Sequence, residues 1–381
     1  MRQISLISRS IIATVISVVC VLASPPTANA QAPEPAKAVT LMASLKSPWG
    51  LAFLPDGRML ITEKSGRLLL VAADGKSVMS EIDGLPPVAI SGQGGLLGIA
   101  IDPDFEKDPW VYWAYTEAGT GDEDGLTGTA LARGRLSGTT VRDIKVLFRQ
   151  APKFRSGVHF GARIVFRPDK TLFLTLGDRG NRDAVQDPKT GIGKVIRLNR
   201  DGTVPTDNPR VTGGLPEVWS TGHRNIQGAA LHPGDGALWA HEHGPQGGDE
   251  LNRVVPGGNF GWPIVSYGCP YGAPEGDQCR IGGGKHPEGY REPVSYWVPQ
   301  SIAPAGLIFY SGKRFPEWKG NAFIGALRGQ ALWRVRIDNN RETARESLFA
   351  ELKERIRDVA EGPDGWIYLL TDGGKLIRIE R

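Results

Sequence analysis

Residues 222–252 concentrate the groups that could bind an anion and a metal ion. The stretch begins with Arg224 beside Asn225 and ends in the loop EHGPQGGDE at residues 242–250. Arginine pairs with carboxylates through two parallel hydrogen bonds and stays charged. Glycine lets backbone carbonyls approach a ligand closely, and carbonyl and carboxylate oxygens suit a hard cation such as calcium. The stretch therefore indicates an anionic organic ligand held against a cation. A glycine-rich turn with a structural salt bridge is the alternative.

Other segments supply single reactive or charged side chains. His159 lies in GVHFGAR, just before an apolar run, and Asp178 lies in LGDRG just after one. An imidazole that titrates near neutrality can remove a hydroxyl proton at working pH, although a lone histidine is more often a packing residue. Gln93 lies in SGQGG, and Arg355 and Arg357 form RIRD. Taken alone, the glutamine reads as a turn amide and the alternating arginines as a solvated strand face.

One phrase recurs along the chain and must position these residues. A short apolar run, a turn containing Pro, Asp or Gly and a second apolar run form each copy, and helix-period stretches of useful length are missing. The copies begin at Trp49, Leu97, Ala162, Gly228, Gly306 and Arg357. Each copy predicts a β-hairpin. Six strand-rich copies, spaced by roughly fifty residues or more, predict an all-β, six-bladed β-propeller, because radial closure removes exposed sheet edges. Functional loops would then meet at one end of the central channel.

The motifs also carry a resemblance. GHRN-x-QG is followed by EHGP-x-GGDE-x-N and then by GGNFGWP at residues 257–263. In this order they resemble the soluble pyrroloquinoline quinone (PQQ)-dependent sugar dehydrogenases, and within them the aldose sugar dehydrogenases. The resemblance runs from about Ser47 to the C-terminus. It implies a six-bladed propeller, in agreement with the repeats.

The resemblance also implies a role for each matching residue. His159 would be the general base, with Asp178 supporting it, and Gln93 would contact the sugar. The cofactors would be PQQ and Ca²⁺. The PQQ ligands would be Arg224, Asn225, His243, Ser301, Arg328, Arg355 and Arg357. The metal site would be formed by the backbone carbonyls of Gly244 and Pro245, with Asp249 beside them or instead anchoring the loop.

The implied reaction is oxidation of an aldose at C1 to the lactone, with hydride transfer to the quinone. Two alternatives stay open: a calcium-dependent lactonase and a propeller binding module that has lost its redox site. A lactonase has no use for four spread arginines, and a binding module is expected to have lost His159 or Arg224-Asn225. The chain has no G-x-S-x-G nucleophile elbow, Walker loop or dinucleotide fingerprint. An aldose sugar and an electron acceptor would be the partners of the implied reaction.

The first thirty residues predict export. Arg2 and Arg9 precede an apolar run, and small residues end at Ala30, as in a secretory signal peptide. Residues 31–381 would then form one mature domain, periplasmic or secreted, with no membrane span. Removing two arginines lowers the formal charge from +4 to +2, and a nearly neutral chain without a basic block is not expected to bind nucleic acid. An oxidising compartment favours a disulfide between Cys269 and Cys279.

Overall fold

The computed structural model describes Met1, residues 34–274 and residues 276–381. The predicted signal peptide at residues 1–30 lies outside the described residues, apart from Met1. Ala36–Arg381 forms one compact unit. In the described residues no helix is long and apolar enough to cross a membrane. The helices there are six three-residue 3-10 segments: Gly121–Glu123, Asp183–Val185, Asp277–Cys279, Ile281–Gly283, Pro316–Trp318 and Ala350–Leu352.

Over residues 34–274 and 276–381, twenty-four strands form six antiparallel sheets of four, which we number as blades 1 to 6. Blade 1 consists of β2 (Pro48–Phe53), β3 (Met59–Glu63), β4 (Leu68–Val71) and β5 (Val78–Ile82). Blade 2 consists of β6 (Leu96–Ile101), β7 (Trp110–Ala118), β8 (Thr127–Ser137) and β9 (Thr140–Arg149). Blade 3 consists of β10 (Gly161–Phe166), β11 (Thr171–Leu176), β12 (Lys194–Asn199) and β13 (Val218–Thr221). Blade 4 consists of β14 (Ile226–Leu231), β15 (Leu238–Glu242), β16 (Asp249–Val254) and β17 (Ser295–Trp297). Blade 5 consists of β18 (Pro304–Phe309), β19 (Ala322–Ala326), β20 (Leu332–Asp338) and β21 (Arg341–Leu348). Blade 6 consists of β22 (Ile356–Glu361), β23 (Ile367–Thr371), β24 (Leu376–Glu380) and β1 (Lys37–Met42).

The blades close into a ring around their first strands. Each of β2, β6, β10, β14, β18 and β22 contacts its two neighbours in this series, and β22 contacts β2. The predicted six-bladed all-β propeller is therefore confirmed. Blade 6 takes three strands from the C-terminal end and its fourth, β1, from the N-terminal end, where β1 pairs with β24.

The core lies between the blades. Six clusters of buried apolar side chains join neighbouring blades. The second strands, such as β11 (TLFLTL) and β23 (IYLLT), are buried along their whole length because they lie between the faces of two neighbours. The apolar runs that define the sequence copies are these first and second strands.

Every first strand carries a β-bulge near its start. The register shifts fall between Pro48/Gly50, Leu96/Ile99, Gly161/Ile164, Ile226/Gly228, Ala305/Leu307 and Ile356/Asp358. A bulge releases a residue from the hydrogen-bond ladder and turns its side chain in a new direction. Trp49, Gln227 and Arg357 are released in this way, and all three line the cavity described next.

Candidate functional site

The predicted site residues meet at one end of the ring. Most of them lie just before a first strand or just after a second strand, whereas Arg357 lies in the bulge of β22 and Asp249 begins β16. Because paired strands are antiparallel, the start of one and the end of the other lie at the same end of a blade. A cavity of about 410 Å³ opens there. It is lined by Trp49, Lys64, Gln93, Leu97, Phe160, Gly161, Asn225, Gln227, His243, Ala303, Leu327, Arg355, Arg357 and Asp372.

His159 lies beside this cavity, two residues before β10, and is held from both sides. Its φ of 53° is in the left-handed region, which a non-glycine residue adopts only when its surroundings impose it. Its backbone N–H donates to Oε1 of Gln93 at 2.9 Å. A Cβ at Gly177 would lie 2.0 Å from the carbonyl oxygen of His159, so glycine is required at the end of β11. These contacts fix the imidazole next to the predicted sugar ligand Gln93.

Asp178 orients the imidazole. Its Oδ1 lies 2.6 Å from Nδ1 of His159 and accepts the N–H of Gly180 at 2.7 Å, while its Oδ2 accepts Nε1–H of Trp262 at 2.8 Å. Burial raises the pKa of this carboxyl, but the hydrogen bond and charge of His159, with Gly180 and Arg224, outweigh burial and keep the pKa below its usual value. Since a carboxylate only accepts, Nδ1 carries the proton of the neutral ring and Nε2 keeps its lone pair.

Arg224 and Asn225 lie between β13 and β14, and both are buried. The Nη1–H of Arg224 donates to the carbonyl of His243 at 3.0 Å, and Nη2–H donates to the hydroxyl of Tyr271 at 3.0 Å. The Nε of Arg224 is buried and has no partner in the described residues. The backbone carbonyl of Arg224 accepts the N–H of Asp178 at 2.8 Å, which joins this segment to the His159–Asp178 pair. Arg224 does not line the cavity of about 410 Å³; it lines a small pocket that shares His243 with that cavity and is also lined by Gly244.

The loop after β15 is anchored by Asp249. Its Oδ1 accepts the N–H of Gly244 at 3.0 Å, and its Oδ2 accepts Ser301 Oγ–H and Ile302 N–H, both at 2.7 Å, and Ala303 N–H at 2.9 Å. The structure therefore supports the anchoring role that the sequence left open for Asp249. Ser301 lies in this anchor, while Ala303 lines the cavity. Direct contact of Asp249 with a metal and of Ser301 with the cofactor stay predictions.

Gly244 and Pro245, the predicted carbonyl ligands, lie in a tight loop. A Cβ on Gly244 would lie 2.2 Å from the carbonyl oxygen of Gly247, so only glycine fits. Neither Gly244 O nor Pro245 O accepts a hydrogen bond from the described part of the chain. That part also contains no group of three or more His, Cys, Asp or Glu side chains placed to hold a metal ion. A cation here would depend on backbone carbonyls and on oxygens of the ligand itself.

The cavity wall of blade 6 is basic. Arg355 Nε and Arg357 Nε lie 2.9 and 2.8 Å from the two oxygens of Asp372. One carboxylate thus faces two guanidinium groups, and Lys64 adds a third cation to the lining. Arg328 lies after β19 with its side chain exposed and is not part of the lining. A cofactor contact for Arg328 stays a prediction.

His243 reaches the cavity as a neutral group. Its Nε2 lies 2.8 Å from the carbonyl of Pro304, which can only accept, so Nε2 carries the proton and Nδ1 is left as an acceptor. Burial lowers the pKa of His243 well below its usual value, and the charge of Arg224 lowers it further. His243 therefore offers the ligand a hydrogen-bond acceptor and no charge.

Four of the polar and aromatic lining residues, Trp49, Lys64, Gln227 and Asp372, were not predicted from the sequence to bind a ligand. Lys64 and Asp372 are each the first residue after a second strand, the position that His243 occupies in blade 4. Aligning the copies at the end of the second strand would have found both. Trp49 and Gln227 are bulge residues, and a bulge leaves no signal in an apolar pattern.

A buried ion pair lies behind the cavity. Arg163 Nη1 is 2.7 Å from Asp358 Oδ1. Arg163 also donates to the carbonyls of Gln227 at 2.6 Å and Arg357 at 3.1 Å, and its guanidinium lies 4.1 Å from the centre of the Trp49 ring. Arg163 and Asp358 line a second cavity of about 270 Å³. The pair therefore separates two cavities of the channel and supports three residues of the first.

The predicted disulfide between Cys269 and Cys279 is present. The loop it closes is tied to the site, since the backbones of Gln246 and Cys269 pair and Gln246 Nε2 donates to the carbonyl of Ala273 at 2.8 Å. It carries Tyr271, whose ring is largely exposed and whose hydroxyl bonds Arg224. No sequence motif indicates this contact.

Residues 45–378 match the family model described as Glucose / Sorbosone dehydrogenase. The chain belongs to the glucose/sorbosone dehydrogenase family. Aldose sugar dehydrogenase YliI of Escherichia coli (strain K12) is 40% identical over 355 residues, which cover 91% of this chain and 94% of the relative.

Solved structures agree with the glucose/sorbosone dehydrogenase assignment. The crystal structure of the soluble aldose sugar dehydrogenase from Escherichia coli in the apo-form has a TM-score of 0.85 at 39% identity, covering 91% of this chain and 99% of that chain. The PQQ-bound form of aldose sugar dehydrogenase from Streptomyces coelicolor has a TM-score of 0.73 at 32% identity, with coverages of 91% and 99%. The family resemblance and the oxidoreductase class predicted from the motifs are confirmed.

Proposed function

We propose that this glucose/sorbosone dehydrogenase is a PQQ- and calcium-dependent enzyme that oxidises aldose sugars at C1 to the lactone. The observation that carries the proposal is the position of the His159–Asp178 pair beside a cavity rich in cations. Similarity to a PQQ-bound aldose sugar dehydrogenase supports the choice of cofactor. We also propose that residues 31–381 act outside the cytoplasm, which the Cys269–Cys279 disulfide supports.

The residues present fit the cofactor. PQQ carries three carboxylates, and the cavity offers Lys64, Arg355 and Arg357 against the single carboxylate of Asp372. Arg224, in the small pocket that shares His243 with the cavity, adds an Nε with no partner among the described residues, and Gly244 and Pro245 add carbonyl oxygens that accept no hydrogen bond from those residues. A volume of about 410 Å³ lies within the usual range for small-molecule sites. When bound, PQQ with calcium supplies a two-electron acceptor whose quinone carbonyl is polarised by the cation.

The protein supplies the base and the orientation. Nε2 of His159 takes the proton of the C1 hydroxyl, because Nδ1 is committed to Asp178. The carboxylate of Asp178 then stabilises the imidazolium. Gln93, whose side chain already bonds the backbone of His159, places a sugar hydroxyl next to the base. The arginines and Asn225 hold the cofactor carboxylates.

A titration tests the proposal. Apoprotein is mixed with PQQ, with and without calcium, and binding is followed by tryptophan fluorescence; aldoses are then assayed with an artificial electron acceptor. Calcium should strengthen PQQ binding, and PQQ should strengthen calcium binding by the same factor. Equal PQQ affinity with and without calcium would reject the metal's role. Absence of PQQ binding would reject the whole proposal, and lactone hydrolysis in its place would favour the lactonase.

We expect Arg224→Ala to weaken PQQ binding by roughly two to three decades. Breaking a buried charge pair costs about 3–5 kcal/mol, and about 1.4 kcal/mol corresponds to one decade. The same titration measures the effect, with Arg58→Ala as the control because Arg58 lies in the turn between β2 and β3, outside the cavity. Equal affinity of the Arg224 variant and the wild type would contradict this assignment.

A further inference from the structure

Lys64 is a basic residue of the cavity that no motif of the family resemblance contains. It is the first residue after β3 in blade 1, where the chain reads ITEKSG. Its side chain is partly buried and lines the cavity together with Arg355 and Arg357. Blade 1 thus faces the basic wall of blade 6 with a cation of its own.

Lys64 forms no direct ion pair with a carboxylate of the described residues. Among the described residues, Asp372 is the acidic side chain that lines the cavity, and it is held by Arg355 and Arg357. Lys64 Nζ donates instead to a neutral acceptor, the carbonyl of Gly92, at 3.0 Å. Partial burial and the neighbouring charge of Arg357 lower the pKa of Lys64, and the charge of Asp372 offsets only part of this effect. An ammonium in this position is stabilised by an anion placed in the cavity.

The bond to Gly92 also fixes where the ammonium lies. Gly92 has a φ of 55°, and a Cβ there would lie 2.4 Å from the carbonyl oxygen of Gly157. The next residue, Gln93, donates its N–H to the same carbonyl at 2.7 Å. The acceptor of Lys64 therefore belongs to a turn packed on the His159 loop, and this bond directs Lys64 Nζ toward that turn. A preorganised donor loses little entropy on binding.

We infer that Lys64 is a further cofactor-binding residue whose ammonium pairs with an anionic oxygen of the cofactor. This inference rests on the proposed function, since it takes PQQ as the occupant of the cavity. Charge-assisted hydrogen bonds are the strong ones, so Lys64→Gln should raise the Kd for PQQ by roughly ten- to a hundredfold. Lys64→Arg keeps the charge and should stay within about threefold of the wild type.

The experiment measures PQQ binding to calcium-loaded apoprotein by fluorescence titration, without any turnover. Lys76→Gln is the matched control: it removes the same charge from an exposed lysine in the turn between β4 and β5. Thermal unfolding of each apoprotein, with Lys64→Met as a second charge-removing variant, shows whether a weaker affinity reflects misfolding. Weak binding by both folded charge-removing variants, with normal binding by the arginine and control variants, supports the inference.

Wild-type affinity in Lys64→Gln or Lys64→Met overturns it, as does equal weakening in Lys76→Gln. These results leave the proposed function intact, because wild-type protein still binds PQQ in the same titration. If wild-type protein fails to bind PQQ, the proposed function fails and this inference fails with it.

Discussion

Asp178→Asn should lower kcat by about three decades. An amide has one acceptor oxygen where the carboxylate serves donors on both sides: His159 and Gly180 at one oxygen, Trp262 at the other. If the amide oxygen of the substituted side chain takes the place of Oδ1, it still accepts from His159 and Gly180 and keeps Nε2 of His159 as the base. The negative charge of the carboxylate is nevertheless lost. Two unit charges about 4 Å apart interact by about 4 kcal/mol at an effective dielectric constant of 20. That corresponds to roughly 10³ in rate.

The same orientation leaves Trp262 Nε1–H facing an NH₂ group. A buried donor without an acceptor costs about 1–3 kcal/mol, so the variant should also be less stable by that amount. Single-turnover reduction of PQQ-loaded enzyme by excess sugar measures the chemical step, and urea denaturation measures stability. His159→Ala should lower the rate by roughly 10²–10⁴, and adding Asp178→Asn to it should lower the rate no further.

Asp102→Asn is the matched control. Asp102 is equally buried, but it lies in the turn between β6 and β7 and bonds Tyr112 and Arg200. Its substitution should cost stability and leave the rate unchanged. A rate within threefold of wild type in Asp178→Asn, alongside a large loss in His159→Ala, would refute the account of Asp178 as the group that stabilises the imidazolium.

Three further predictions concern stability. Arg163→Ala should lower the free energy of unfolding by about 3–5 kcal/mol because it leaves Asp358 buried without its partner, whereas Arg163→Met with Asp358→Leu should cost much less; equal losses in urea denaturation would contradict this. Burial and a neighbouring carboxylate raise the pKa of Glu250 well above its ordinary value of 4.5, so the folded calcium-free protein binds this proton more tightly than the unfolded chain does. The free energy of unfolding of the wild-type protein should therefore fall as pH rises above 4.5, and Glu250→Gln should make this fall smaller by up to about 1.4 kcal/mol per pH unit. A difference in unfolding free energy between variant and wild type that stays constant from pH 4 to pH 8 would contradict this prediction. Replacing Cys269 and Cys279 by Ser should lower stability by about 2–3 kcal/mol in the chain-entropy model, and the intact-mass spectrum of unreduced wild-type protein should show both cysteines resistant to alkylation; two alkylated thiols would exclude the bridge.

The six hairpins could be predicted from the sequence because their first and second strands are buried on both faces and therefore consist mainly of apolar residues. It did not reveal the outer strands in the same way. β5 (VMSEI) and β21 (RETARESL) are largely exposed, so their residues carry little apolar signal. β1 belongs to no copy, and its pairing with β24 follows from ring closure and not from local pattern.

Site residues that belong to a motif could be predicted from the sequence, whereas residues placed in the cavity by a β-bulge could not. Arg224, Asn225 and His243 were predicted from their motifs, and the structure brings them together. Gln227 stands inside one of those motifs, but its place in the cavity depends on the bulge in β14. Whether Asp249 anchors the loop or binds a metal could not be decided from residue types, because a carboxylate serves either purpose.

Blade 6 is both the seam of the ring and part of its binding site. β1 closes it against β24, and the same sheet carries Arg355, Arg357 and Asp372. A ligand that needs these residues in place binds the sealed ring and not the open one. By mass action it stabilises the seam by about 2.7 kcal/mol at a free concentration one hundred times its Kd. Cofactor supply would then set how long the protein survives proteolysis as well as how fast it turns over, since an empty ring is the form whose two ends part most easily.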